Sequence, residues 1–118
     1  MKVVRSIRSQ KTINNYKKFL KSGFVGCGMC REKNVKEFTY WRIIKARFPL
    51  DKIAKTNHII MPKIHHTIEK LNIREKKEFE LIRKTFLRDN YDALLEAMPR
   101  SQSIPSHHHI HLLVWKTT

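Results

Sequence analysis

The seven histidines of this 118-residue chain fall into two clusters, which are His58, His65 and His66, and His107, His108, His109 and His111. Random placement would seldom group them in this way. Imidazole is a nucleophile and a metal ligand that titrates near neutral pH, so several on one surface can divide the steps of a group transfer. We interpret the second cluster as part of an active site. The alternatives are a metal-binding patch without catalysis and the remnant of an affinity tag.

The only two cysteines have the spacing Cys27-Gly28-Met29-Cys30. Two cysteines are too few for a disulfide scaffold, and this spacing is typical of metal or redox pairs in reducing compartments. The segment from Gly23 to Cys30 also contains all three glycines, which favours a tight turn whose amides approach the sulfur atoms. We therefore expect a cytoplasmic protein.

The strands that would position the histidines are indicated by β-branched and aromatic runs. Residues 37–48 (EFTYWRIIKARF) predict one strand, His58 to Met61 predict a second that ends at Pro62, and His107 to Trp115 predict a third. Alternate side chains of a strand share a face, at about 6–7 Å spacing. His107, His109 and His111 are therefore expected on one face, and His108 on the other.

Two helices are indicated on either side of these strands. Ser9 or Thr12 could cap the first, which ends near Gly23, and an apolar stripe is formed by Ile13, Tyr16, Phe19 and Leu20. Asn72 and Glu75 have capping-box spacing before a second helix of about 15 residues. Residues 91–97 fit a strand or a helix end, and residues 99–105 a loop. The pattern predicts an α+β fold, with an antiparallel sheet and helices packed against it.

The chain carries 25 Lys and Arg against 10 Asp and Glu, a formal net charge of +15. Such an excess attracts polyanions, although lysine-rich runs are also common on solvated faces. No apolar run approaches the roughly 20 residues of a membrane span, so we expect a soluble protein with no membrane partner. Residues 1–22 form a basic segment with a short helix, and residues 23–118 form the main domain.

Several motifs together resemble a known family. The string from His107 to Leu113 (HHHIHLL) resembles the signature of the histidine-triad (HIT) superfamily of nucleotide hydrolases and transferases. Phe48-Pro49 and the run from Asn57 to His65 (NHIIMPKIH) resemble the segment in which a histidine-led strand of that superfamily enters Pro-Lys-x-His. The Cys27/Cys30 pair stands where zinc-bearing branches carry one. The resemblance covers about residues 24–115.

The resemblance implies a catalytic set of His109, His111 and His58. His109 would attack the α-phosphorus of a purine nucleotide conjugate, such as an AMP phosphoramidate or a dinucleoside polyphosphate, and form a nucleotidyl-histidine. His111 would contact the phosphate or the leaving group, and His58 would complete the site from the neighbouring strand. Phosphate contacts are expected from Ser103 or Ser106, and a ribose contact from Asp51, which also fits a plain turn aspartate.

The resemblance also implies a structural zinc ion held by Cys27, Cys30, His65 and His107. His66 is an alternative to His65, and a free or redox-active cysteine pair is an alternative to zinc. The family further implies a homodimer, and its aprataxin-like branch, which removes adenylate from nucleic-acid ends, would suit the basic surface. A zinc-stabilised module that binds polyanions without catalysis is a third reading.

The chain departs from the family pattern in three places. His108 stands at a position that is normally apolar. The lead-in from Ser103 to Ser106 is one residue longer than usual, and the stretch from Leu94 to Arg100 lacks the asparagine and glycines that many relatives have. These departures affect the phosphate contacts more than the nucleophile.

Overall fold

Five antiparallel strands form a single sheet with the order β1-β2-β3-β5-β4. The computed structural model describes residues 7–23, 26–98, 100 and 107–117. Within them the strands are β1 (Asn34–Glu37), β2 (Trp41–Lys45), β3 (Ala54–Pro62), β4 (Ala93–Leu95) and β5 (Ile110–Trp115). Helices lie outside the sheet, so the fold is α+β, as the sequence predicted.

The first helix, α1 (Gln10–Lys21), begins after Ser9, whose side chain accepts a hydrogen bond from the Thr12 amide. Ser9 is therefore the N-cap residue, one of the two candidates from the sequence. The helix packs through its apolar stripe, and the rings of Tyr16 and Phe48 lie 5.0 Å apart. This packing places α1 over one side of the sheet.

The second helix, α2 (Ile73–Ile82), has the predicted capping box between Asn72 and Glu75. It continues through a π-helical turn, Arg83–Leu87, into a last α-helical turn, Arg88–Asn90. The helical segment is thus longer than the sequence indicated. Trp41 Nε1 donates to the Glu75 carbonyl at 2.8 Å, which fixes α2 against β2.

The strand predicted for residues 37–48 is confirmed only over β2, because Glu37 ends β1 and the chain turns between β1 and β2. The amides of Thr39 and Tyr40 donate to the Glu78 carboxylate at 3.2 and 2.6 Å. Backbone groups that leave a sheet need other partners, and Glu78 supplies them from α2. No glycine or proline marks this turn in the sequence.

The last strand begins at Ile110 rather than at His107, which corrects the predicted start. The His108 amide donates to the His66 carbonyl at 2.9 Å, beyond the end of β3. Residues 91–97 contain the short strand β4, which pairs with β5. This settles the choice between a strand and a helix end.

Each face of the sheet has its own apolar core. The face toward α2 buries side chains from three strands and from the helical segment: Trp41, Ile43, Ile60, Ile82, Leu87, Ile110 and Leu112. The opposite face buries Met29, Ile44, Ile59 and Met61. None of the helices in the described ranges is long and apolar enough to cross a membrane.

Candidate metal centre and histidine pocket

Cys27, Cys30, His65 and His107 converge, and one potential ligand atom from each lies within 4.8 Å of all the others. The Nδ1 atom of His107 lies 3.6 Å from Cys27 Sγ and 3.4 Å from Cys30 Sγ. The Nδ1 atom of His65 lies 3.3 Å from Cys30 Sγ. The four residues that the sequence suggested as ligands therefore form a group that could hold a metal ion.

These distances agree with tetrahedral coordination. With metal–sulfur bonds of about 2.3 Å and metal–nitrogen bonds of about 2.0–2.1 Å, neighbouring sulfur and nitrogen ligands lie about 3.5 Å apart. In the absence of a metal, burial and the neighbouring Cys27 thiol raise the pKa of Cys30 to about 11. A metal ion at this position would offset that cost, because it binds the thiolate form.

The ring of His107 is oriented for such a role. Its Nε2 atom lies 3.0 Å from the Pro62 carbonyl, and a carbonyl can only accept, so Nε2 carries the proton and Nδ1 has a free lone pair. Metal-binding imidazoles commonly donate their second nitrogen in this way. Burial lowers the pKa of His107 to about 4, which keeps the ring neutral.

The turn that carries both cysteines is held by Arg42 of β2. Its guanidinium donates to the carbonyls of Met29 and Glu32 at 2.6 and 2.7 Å. At the start of the turn, Gly26 has φ of 96°, a conformation that side-chain-bearing residues rarely adopt. The glycine-rich segment thus gives the tight turn that its composition predicted.

His66 takes part in a different interaction. Its Nε2 atom lies 3.0 Å from the Glu75 carboxylate, which is almost fully buried. Because this nitrogen is engaged on the side of α2, the structure favours His65 over His66 as the fourth ligand.

A cavity of about 190 Å³ lies between α1 and the sheet, and Gly26, Gly28 and Met29 of the turn that carries the two cysteines form part of its wall. Aromatic and aliphatic side chains from both elements form much of its wall, among them Tyr16, Phe19, Phe48, Ile44 and Ile59. His109 and His111 also line the cavity, with ring centroids 5.9 Å apart. The structure therefore brings two of the three suggested catalytic histidines to one pocket.

His109 has a defined protonation pattern. Its Nδ1 atom lies 2.8 Å from the His107 carbonyl, so Nδ1 is the donor and Nε2 carries the lone pair. Burial lowers the pKa of His109, although the hydrogen bond to His107 acts in the opposite direction. A neutral imidazole with a free Nε2 atom has the form that a nucleophile requires.

His111 has the complementary pattern. Its Nδ1 atom lies 3.1 Å from the Asn57 amide nitrogen and 3.3 Å from the amide oxygen. The amide oxygen already accepts from the Leu50 backbone. In the shorter contact Nδ1 is the acceptor, which leaves Nε2 as a donor. Burial and the nearby charges of His109 and Arg8 lower the pKa of His111 to about 3.

His58 does not join these two histidines. It pairs with Leu112 across the β3–β5 ladder, and Leu112 belongs to the core on the α2 side. Its Nδ1 atom lies 2.6 Å from the Tyr91 hydroxyl. Burial, with a smaller effect of Lys45, lowers its pKa. The expectation that His58 completes the pocket is therefore corrected, because strand alternation turns it to the opposite face.

His108 also lies on the α2 side, as alternation predicted. Its ring meets Trp41 edge-on with centroids 6.1 Å apart, and burial lowers its pKa. The polar side chain of His108 is thus packed against an aromatic ring.

Asp51 holds the start of α1 instead of facing the pocket. Its carboxylate accepts from the Ser9 amide, the Ser9 hydroxyl and the Thr12 hydroxyl at 2.6, 2.7 and 2.7 Å. Burial alone would raise the pKa of Asp51, but these hydrogen bonds lower it to about 2. The ribose contact suggested for Asp51 is replaced by this capping role. Ser103 and Ser106 lie outside the described residues.

The sequence interpretation missed two residues of the site, namely Asn57, which contacts the pocket residue His111, and Arg8, which lines the pocket. Asn57 orients His111. Alternation along β3 could have identified it, because Asn57 and the pocket residue Ile59 are two positions apart and therefore lie on the same face of the strand. Arg8 is buried in the pocket wall. Nothing in its local sequence distinguishes it from the other basic residues of the N-terminal segment.

No protein-family model matches this chain, and no curated protein is significantly similar to it. Its function therefore has to be inferred from an α+β fold with a candidate metal centre beside a histidine-lined pocket.

Proposed function

We propose that the protein is a nucleotidyl hydrolase or transferase of the histidine-triad type, with His109 as the nucleophile. The observation that carries the proposal is the 2.8 Å hydrogen bond from His109 Nδ1 to the His107 carbonyl, in the wall of the cavity. This bond leaves the lone pair on Nε2 and fixes the ring. A buried imidazole used only for packing would not need an open cavity at its side.

The reaction proceeds by two displacements. In the first, Nε2 of His109 forms a bond to the α-phosphorus of a nucleotide conjugate, and the bond from phosphorus to the leaving group breaks. The Nε2–H group of His111 is positioned to donate a hydrogen bond to that group or to a phosphate oxygen. The leaving group keeps the electron pair of the broken bond and takes up a proton from solvent. In the second, an oxygen of water or of another acceptor forms the new bond to phosphorus and its proton passes to solvent, while the bond from phosphorus to Nε2 breaks and its electron pair returns to His109. Two small barriers replace one large barrier.

The wall of the cavity supports a nucleotide as the ligand. Tyr16, Phe19 and Phe48 lie on one side, with Phe19 and Phe48 centroids 5.4 Å apart. Aromatic and aliphatic walls of this kind bind the faces of flat heterocycles, while a few polar groups fix the orientation. We assign the aromatic and aliphatic part of the cavity as the binding site of a purine base, and the part beside His109 and His111 as the binding site of the α-phosphate.

We propose zinc for the metal centre. Two thiolates and two imidazoles fill a tetrahedral shell, so a zinc ion there would be structural and would bind no catalytic water. Its ligands would hold the cysteine turn, the end of β3 and the start of β5 together. His107 would then place its own carbonyl against His109.

The proposal is tested by AMP release from adenosine 5′-phosphoramidate and from a diadenosine polyphosphate. The wild type is expected to release AMP, and His109→Ala to reduce the rate by at least about 1,000-fold, as for other removed nucleophiles. His58→Gln is the matched control, since it changes a histidine on the other face of the sheet. An inactive wild type with bound zinc and an intact fold would reject hydrolysis of small conjugates and favour a binding module.

Adenylated nucleic-acid ends are the second candidate substrate. The net charge of +15 favours this alternative, because positive charge gives non-specific affinity for phosphate backbones. Binding to a short duplex should then weaken steeply with salt, by nearly one unit of log–log slope for each phosphate contact. A shallow slope together with turnover of small conjugates would exclude it.

A further inference from the structure

Arg8 is the only buried Lys or Arg in the described part of the chain, with 8% of its surface exposed. It lines the same cavity as His109 and His111. Its Nε atom donates to the Phe48 carbonyl at 2.9 Å, which uses one of the five N–H groups of a guanidinium. The side chain is therefore fixed at one nitrogen.

Within the described residues, no carboxylate lies close enough to Arg8 to form an ion pair with it. All ten acidic side chains lie in the described residues, and none of them forms an ion pair with Arg8 there. The charge of Asp51 is felt at Arg8, but the Asp51 oxygens accept hydrogen bonds from Ser9 and Thr12. Burial of an unpaired charge is unfavourable unless another group compensates it.

The other cations of the pocket wall differ from Arg8. Arg47 forms an ion pair with Glu32 at 2.8 Å and packs its guanidinium 5.1 Å from the Phe19 ring centroid. Lys45 is exposed to solvent. Arg8 is thus the pocket cation with the most to gain from a bound anion, and it lies close enough to His111 to lower the pKa of that imidazole.

We propose that Arg8 binds a second anionic group of the ligand, separate from the α-phosphate at His109 and His111. The ligand class is a nucleotide that carries two phosphate groups, either along its 5′ chain or with one of them on the ribose. This inference rests on the proposed nucleotide function. Arg8 acts here as a specificity-determining residue, since guanidinium–phosphate contacts are strong and directional.

The test is isothermal titration of the metal-loaded protein with AMP, ADP and adenosine 3′,5′-bisphosphate. We expect at least one bisphosphorylated nucleotide to bind the wild type about tenfold or more tightly than AMP. In Arg8→Gln, the ratio of the affinity for that nucleotide to the affinity for AMP should fall close to one. The binding of AMP itself should weaken less than the binding of the bisphosphorylated nucleotide. Lys11→Gln is the matched control, because it removes one positive charge from the exposed side of α1.

The outcomes separate the two proposals. Tighter binding of ADP alone places the second phosphate on the 5′ chain, and tighter binding of the 3′,5′-bisphosphate alone places it on the ribose. Either result supports the role of Arg8 when Arg8→Gln removes the difference from AMP, and a difference that Arg8→Gln keeps would overturn that role. Equal affinities of the wild type for all three nucleotides would overturn that role and leave the nucleotide function standing. Failure of every nucleotide to bind would overturn both. If Arg8→Gln does not fold, Arg8→Lys takes its place, and its ratio of affinities for the bisphosphorylated nucleotide and for AMP is compared with that of the wild type. A lower ratio in Arg8→Lys supports the role of Arg8, because lysine lacks the directional contacts of a guanidinium, and an unchanged ratio overturns it.

Discussion

The side-chain amide of Asn57 joins β3 to the imidazole of His111 on β5. The Asn57 oxygen accepts from the Leu50 amide at 2.9 Å, and the nitrogen donates to the His58 carbonyl at 2.9 Å and lies 3.1 Å from His111 Nδ1. The first two contacts fix which end of the amide faces the ring. One buried side chain thereby sets both the orientation and the protonation pattern of His111.

Replacing Asn57 with Ala should therefore destabilise the fold and disorient His111. We expect the free energy of unfolding to fall by about 2–3 kcal/mol, because the buried Leu50 amide loses its acceptor. Urea unfolding measures this loss. Asn15→Ala, on the exposed surface of α1, should change stability by less than about 0.5 kcal/mol. Equal effects of the two variants would contradict the role given to Asn57.

The two neighbouring histidines at the end of β3 should differ in metal binding. His65→Ala should lose bound zinc and lower the Tm by at least about 5 °C, since a structural metal contributes directly to folding. His66→Ala should keep one zinc ion per chain, yet lose stability, because the Oε2 atom of the buried Glu75 carboxylate loses its partner while Oε1 keeps the Asn72 amide. Elemental analysis and thermal unfolding give both quantities. Retention of zinc by His65→Ala would show that the ligand set is wrong.

The contribution of Asp51 to stability should depend on pH. Its pKa in the folded state is about 2, below the ordinary value of 3.8 for an aspartate, so its stabilisation is complete above pH 4 to 5 and is lost as pH falls toward 2. At pH 7, Asp51→Asn should lower the free energy of unfolding by about 1–2 kcal/mol.

Urea unfolding of the wild type and of Asp51→Asn at pH 7, 5 and 3 checks this expectation. The difference between their free energies of unfolding should be smallest at pH 3. Asp89→Asn, at an exposed position, is the control. A difference that stays constant from pH 7 to pH 3 would mean that the charge of Asp51 has no role in holding α1.

The hydrogen bond between His58 and Tyr91 should support the fold without supporting turnover. Tyr91→Phe and His58→Gln should each cost about 0.5–1.5 kcal/mol of stability, and the double variant little more. Because the pKa of His58 is lowered in the fold, this stability is present above pH 6.5 and is lost as pH falls below it. AMP release at pH 7.5 should change less than twofold; a loss approaching that of His109→Ala would return His58 to the active site.

Residues with a local signal were predictable. Cys27 and Cys30 were predicted as a metal or redox pair from their spacing, whereas His65 and His107 were added to them through the resemblance to the histidine-triad family; the four residues do converge. Asn72 and Glu75 indicated the start of α2. Capping boxes and close metal-ligand pairs depend on neighbours in the chain, so they can be recognised without a tertiary structure.

The side of β3 that faces the pocket was harder to predict. A strand has a period of two, so a shift of one residue exchanges all of its side chains between the faces. The role of His58 was carried over from the family resemblance, whereas the residue of β3 that lies on the pocket face beside His111 is Asn57. The turn between β1 and β2 was missed for a different reason: its amides bond to Glu78, a partner that lies 38 or 39 residues away.

The cysteine–histidine cluster joins positions that are far apart along the chain, with Cys30 separated from His65 by 35 residues and from His107 by 77. Closing loops of that length has a considerable entropic cost, and the pairing of β3 with β5 would meet much of that cost because it brings the segments of His65 and His107 together. A metal ion would then be captured late in folding, by chains whose strands are already in register. Metal content would accordingly report correct assembly, and misfolded chains would remain unloaded.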